Sequence, residues 1–215
     1  MEIYKLSDDV ARDSLRITDI RQAVKNENRV NVFVDGKYSF SLDVSQVVEL
    51  KLKVGQKISA EDLEEFESVS EFGKLYQRAL EWVLTRPRSE RETRDYLYKK
   101  VYNKKLDKGY INKIIDKLRD KKYLDDEGFA EWYVENRFVK KGISQKRLKM
   151  ELIKKGVSNE IIEKVLSVRN DEEEILKMIA KKRDKYDDDQ LIQYLCRQGF
   201  SFELARNLVL TYGKD

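Results

Sequence analysis

The chain has 215 residues, enough for one or two domains with a hydrophobic core that needs neither disulfides nor a structural metal. Charged residues make up 39% of it, against roughly 25% in ordinary soluble domains, yet 44 Lys and Arg nearly cancel 40 Asp and Glu to leave +4. The 12 Tyr, 8 Phe and 2 Trp exclude a wholly disordered polyampholyte, and the absence of His excludes Ser-His-Asp and Cys-His nucleophiles and the usual zinc ligands.

Cys196 is the single cysteine, so no internal disulfide forms and a reducing compartment is expected. Met1 to Val10 contains acids and no apolar signal core, and no run reaches the ~18 apolar residues of a membrane span. The expectation is a cytoplasmic protein.

Turn signals are scarce, with 9 Gly and 1 Pro. LRITDIRQAV, from Leu15 to Val24, reads as a strand. Next, RVNVFVDGKYSFSL alternates Val30, Val32 and Val34 before Asp35-Gly36 and Tyr38, Phe40 and Leu42 after it, a strong hairpin signal because both turn positions want positive φ. Val47 to Leu52 reads as a short helix. Ser59, three residues before Asp62, caps a further helix through Leu63 and Phe66. Residues 1–70 hold 10 basic and 14 acidic side chains, a net of −4, and the composition changes after them.

The remainder is helical and repeated. LKMELIKKGVSNEIIEKVL (148–166) lies over LIQYLCRQGFSFELARNLV (191–209), so Leu148, Leu152, Gly156, Ser158, Ile161 and Val165 fall on Leu191, Leu195, Gly199, Ser201, Leu204 and Leu208. Gly156 and Gly199 suit the positive-φ position that ends a helix, and Ser158 and Ser201 the next N-cap. Ser144 and Asp187 cap the helices upstream, and Ser89 stands in the same relation to Leu97. Ile114, Ile115 and Leu118 of this first unit match Ile161, Ile162 and Val165, while its connecting segment VYNKKLDKGYI is longer by about four residues and Thr93 replaces the Leu of the other units.

The expected architecture is therefore mostly α: an elongated array of three tandem three-helix repeats (71–124, 125–169 and 170–215) after a small N-terminal β-hairpin-containing unit (1–70). First helices are expected at 73–85, 126–140 and 171–184. Second helices begin at Ser89, Ser144 and Asp187, and third helices follow Gly109, Gly156 and Gly199.

Acidic clusters are the first catalytic suspects in a chain without His. Asp125-Asp126, Asp171 to Glu174 and Asp187 to Asp189 could bind Mg²⁺, but each falls at an expected helix start, where carboxylates satisfy free amides and the helix dipole. Capping explains all three, and no phosphate-binding glycine loop accompanies them. No enzyme, metal or cofactor is expected.

Among the aromatics, Phe129, Tyr133 and Arg137 with Ala130, Val134 and Phe138 form adjoining stripes of one helix, better suited to a core than to a cofactor. The basic residues are more telling. Residues 71–124 carry 16 basic and 8 acidic side chains, whereas 125–169 carry 10 and 8 and 170–215 carry 8 and 10. Arg86, Arg88, Arg91 and Arg94 surround the second-helix start, with Arg91, Arg94 and Tyr98 on one face that periodicity places outward. Lys99 and Lys100 follow, and the second unit repeats the theme with Lys140, Lys141, Lys146, Arg147, Lys154 and Lys155. Such a surface can neutralise phosphates, dock an acidic protein, or be a solvated face laced with ion pairs.

RALEWVLTRPRSERETRDYL (78–97), KKYLDDEGFAEWYVENR (121–137) and GISQKRLKMELIKKGVSNEIIEKVL (142–166), in that order and spacing, resemble the RecX family of bacterial recombination regulators. The hairpin RVNVFVDGKYSFSL resembles an extension found on some members. The resemblance implies a non-enzymatic modulator that binds RecA, lies in the groove of the RecA–DNA filament and changes its stability, ATPase and strand exchange; a monomer is expected. A helical module that binds single- or double-stranded DNA independently of RecA is the alternative expectation.

Overall fold

The Asp35-Gly36 turn forms as its sequence demands, with φ of +48° and +78° at its two residues. It joins strands β2 (Asn26–Val34) and β3 (Lys37–Asp43), and β1 (Leu15–Ala23) pairs antiparallel with β2 on the other side. In this computed structural model the described residues are 14–24 and 26–212, with the side chains of 138–141 outside the description. Met1 to Val10, read above for a targeting signal, lies outside the described residues.

A short helix, α1 (Val44–Glu49), follows the hairpin, starting a few residues earlier than its apolar spacing suggests. Strand β4 (Lys57–Ile58), too short to leave a periodicity, completes a four-stranded sheet in the order β3-β2-β1-β4. Val32, Val34, Phe40 and Leu42 are buried with Ile17, Leu52, Ile58 and Phe66, so alternation puts one sheet face into the core. Tyr38, at the end of the pattern, is exposed.

The sequence predicts one helix from Ser59 and another over 73–85; they are a single helix, α2 (Ala60–Leu84). Ser59 and Asp62 cap it reciprocally at 2.9 and 3.0 Å. Gly73 lies inside it, where a Cβ would stand 3.3 Å from the Gln46 amide, and Ser70 donates to the Ser41 carbonyl at 2.7 Å. An isolated glycine costs a helix about 1 kcal/mol, too little to end it without a proline or a competing cap. The chain divides into two compact units, Met1–Arg78 and Ala79–Asp215.

From the C-terminal end of α2 onward the helices follow in threes. Helices α3 (Glu90–Lys104) and α4 (Gly109–Asp120) follow α2; then come α5 (Asp126–Lys141), α6 (Gln145–Lys154) and α7 (Asn159–Leu166); and α8 (Asp171–Lys182), α9 (Asp188–Arg197) and α10 (Phe202–Tyr212) end the array. Leu148 and Leu152 are fully buried in one cluster, and Leu191 and Leu195 in the next. Gly156 and Gly199 have φ of +82° and +97°.

The first repeat departs from this scheme in an informative way. Its extra residues lengthen a helix rather than a loop, since α3 has 15 residues against 10 in each of α6 and α9. The left-handed residue ending α3 is Lys105, at φ +54°, while Gly109 opens α4 and receives its cap from Asp107 at 2.8 Å. Thr93 is fully buried, its hydroxyl returned to the Ser89 carbonyl at 3.0 Å, so a polar residue fills a leucine position without an unpaired group.

Candidate binding surface

Each second helix starts at a hydroxyl or carboxylate cap: Ser89 accepts from the Glu92 amide at 3.1 Å, Ser144 from Arg147 at 3.2 Å and Asp187 from Gln190 at 2.8 Å. In the first two, this start also receives the following repeat. Asp126 accepts the Glu90 amide at 2.8 Å and Asp171 the Gln145 amide at 2.9 Å, so two acids of the expected self-caps serve the neighbouring repeat instead. Burial pushes both carboxyl groups above the ordinary aspartate range.

The C-terminal end of the next second helix closes the same junction. Ser89 Oγ donates to the Lys155 carbonyl at 2.7 Å, and the Ser144 amide to the Gln198 carbonyl at 3.2 Å. A Cβ on Gly156 would stand 2.6 Å from Arg91 Cβ, and one on Gly199 2.5 Å from Ser144 Oγ. The glycines thus supply both the left-handed turn and the room for the adjoining helix.

Several cations expected to face outward are spent on these junctions. Lys155 donates to Glu92 at 2.5 Å, and Arg86 reaches the same carboxylate at 3.2 Å with its guanidinium 5.3 Å from the Trp132 ring. Burial would raise Glu92, but the hydrogen bonds from Lys155 and Arg86 outweigh it and hold the carboxyl below its ordinary range. Arg94 and Arg119 share Glu90, and Arg147 donates to the Arg197 carbonyl at 2.6 Å.

Arg88, grouped above with the candidate surface arginines, is held against a ring. It lies 4.0 Å over Trp82, which stacks on Tyr96 at 4.5 Å, and Lys100 lies 5.3 Å from the Tyr96 ring. Burial, with repulsion from Arg86 added, lowers the Arg88 guanidinium from its ordinary value. Periodicity within α3 could not show this, because Trp82 belongs to α2 and lies outside any window that contains the arginines.

Arg91, Lys99, Lys146 and Lys154 make no ion pair among the described residues. Lys146 and Lys154 border a groove of about 510 Å³ with Arg147, Met150, Glu151, Cys196, Gly199 and Phe200. Glu151 is held low by Arg137, at 2.6 and 2.9 Å, and accepts from Tyr133 at 2.9 Å. The side chains of Lys140 and Lys141 lie outside the described residues. Sequence reasoning passed over Tyr102, whose signal was its position one turn beyond Tyr98, and Glu92, whose partners come from remote segments and left none.

The expected acid clusters are dispersed by this geometry. Asp125 caps the Glu127 amide at 3.0 Å, Asn170 rather than an acid caps α8, and no group of three potential ligands forms a metal site among the described residues. No helix among them is long and apolar enough to cross a membrane.

Known proteins match on both parts of the chain. The family model for the RecX N-terminal domain matches residues 15–59, and that for the second three-helix domain of RecX matches residues 125–166. A regulatory protein RecX of Bacillus licheniformis is 33% identical over 198 residues, covering 87% of this chain and 74% of the relative. The chain belongs to the RecX family. Another RecX, from Bacillus velezensis, is 39% identical over 117 residues, 54% of this chain and 43% of that relative, so this match spans under half of the relative's length. A crystal structure of regulatory protein RecX superposes with a TM-score of 0.67 over 90% of this chain and 98% of the other, at 22% identity, and shares the fold. Membership of RecX supports a regulatory role for this chain.

Proposed function

We propose that this protein is a non-enzymatic cytoplasmic modulator of the RecA recombinase, which binds the RecA–DNA filament as a monomer and alters its ATPase, strand exchange and stability. The observation that carries the reading is the separation of the candidate basic side chains by what holds their charged groups. Those of Arg86, Arg88, Arg94, Arg147 and Lys155 are engaged by carboxylates, a carbonyl or a ring, and those of Arg91, Lys99, Lys146 and Lys154 are left without ion-pair partners among the described residues. Unpaired cations on helices confer salt-dependent attraction to phosphates and acidic surfaces without positioning a reacting atom.

RecX membership supports the regulatory part of the reading, and the dispersal of the acid clusters into caps is consistent with binding rather than catalysis. The test is to add purified protein to RecA on single-stranded DNA and follow ATP hydrolysis. A change at substoichiometric protein, with association detected by co-sedimentation, is expected. Unchanged hydrolysis and no association would overturn the proposal.

A further inference from the structure

Tyr98 and Tyr102 lie one turn apart on α3, with relative exposures of 50% and 71%, while Thr93, Leu97 and Val101 take the buried side of that helix. Their rings are nearly parallel, inclined by 14°, with centroids 6.5 Å apart. Two rings of this protein that stack directly, Trp82 and Tyr96, lie 4.5 Å apart. The Tyr98–Tyr102 separation is instead close to twice the ~3.4 Å spacing of stacked bases. At that separation the two rings do not stack directly on each other.

The electrostatic surroundings fit an occupant with a negative backbone. Helical spacing puts Arg91, Asp95, Tyr98 and Tyr102 in one stripe, with Lys99 beside it and Lys105 at the end of the helix. Arg91, Lys99 and Lys105 outnumber the single carboxylate of Asp95, and none of the three cations has an ion-pair partner among the described residues. Neither tyrosine hydroxyl makes a hydrogen bond among the described residues. An acidic protein surface would satisfy the cations but would have no use for the ring spacing. Paired duplex bases cannot reach the rings, whereas unpaired bases stack readily on aromatic side chains.

We propose that Tyr98 and Tyr102 form a stacking site for an unpaired base of single-stranded DNA, with Arg91, Lys99 and Lys105 beside the flanking phosphates. The inference rests on the filament reading above for the presence of DNA, and it adds the strand chemistry and the residues that read it.

The test uses the full chain without RecA, so its failure is separable from failure of the RecA reading. Fluorescence anisotropy at low salt compares an oligothymidylate, an abasic deoxyribose oligomer of equal length, the ribose counterpart and a duplex. The oligothymidylate is expected to bind about fivefold or more tightly than the abasic oligomer. Tyr98→Ala and Tyr102→Ala should remove that preference while the salt dependence stays, because the phosphate contacts remain. Tyr98→Phe and Tyr102→Phe should keep it, and thermal melting checks that all four variants are folded. Equal affinity for the abasic oligomer, alanine variants that retain the preference, tighter binding to duplex, binding confined to the ribose strand, or no binding at all would each overturn the proposal.

Discussion

At the junction of the first and second repeats, Glu90 takes Arg94 and Arg119 while Glu92 takes Lys155 and Arg86. The corresponding positions after Ser144 are Gln145 and Arg147, which donate instead to the backbone carbonyls of Arg169 and Arg197 at 2.5 and 2.6 Å. Charge at these positions is negative in one junction and neutral or positive in the other, yet both share the serine cap, the aspartate from the next repeat and the left-handed glycine. Small residues therefore set how the repeats stack, and the side chains around them decide how that stacking responds to pH and salt.

The largest expected effects lie in the cores on either side, and they should not distinguish the repeats. Leu152→Ala and Leu195→Ala each remove a fully buried side chain and should cost about 2–5 kcal/mol in urea unfolding. A loss below about 1 kcal/mol at either would mean that its core is misassigned. The shared glycines come next. Gly156→Ala and Gly199→Ala combine positive φ with a contact too close for a Cβ, so each should lose more than about 1 kcal/mol. Gly36→Ala, with positive φ but nothing within 4 Å, should lose less; an equal loss at all three would remove the packing part of the account.

Acid should separate the two junctions. Glu90 and Glu92 are held below the ordinary carboxyl range, so their contribution is present above the unfolded value of about 4.3 and fades as pH falls through the lower folded values. Asp126 and Asp171 are raised, the folded state holding their protons more readily, so acid relieves rather than weakens them, and by position they affect both junctions alike. Glu151 on α6 is also held low, but chiefly by Arg137 and Tyr133 of α5 within its own repeat, so hydrogen exchange below pH 4.3 should open the start of α3 before the start of α6. Glu92→Gln should reduce that order's dependence on pH, and simultaneous opening in the unaltered protein would contradict the comparison.

Cation replacements should have the smallest and most selective effects on stability. Arg88→Glu abolishes the contact with Trp82 and should lower the melting temperature by several degrees, whereas Arg91→Glu should stay within about 0.5 kcal/mol. Equal melting of both variants would erase the distinction between built-in and available cations.

Much of this architecture was legible in local patterns. Asp35-Gly36, the Ser59–Asp62 cap, the offset of Leu148 to Gly156 onto Leu191 to Gly199, and the serine caps all act within one turn or one repeat. The single helix α2 was hidden because Gly73 resembles a break and its accommodation against Gln46 is tertiary. The candidate surface was legible only as composition. Arg86, Arg88, Arg94, Arg147 and Lys155 have the spacing of exposed residues, and their engagement depends on Glu92, Trp82, Glu90 and carbonyls brought from other helices. Asp126 and Asp171 were readable as caps, but not as caps of a neighbouring repeat.

The most direct test compares the unaltered protein with a variant carrying Arg91→Glu, Lys99→Glu, Lys146→Glu and Lys154→Glu in RecA-dependent ATP hydrolysis on single-stranded DNA. The unaltered protein should change the rate at substoichiometric ratio, and the folded variant should lose that effect. A variant that acts on RecA as strongly as the unaltered protein would contradict the assignment of these four cations as the working surface.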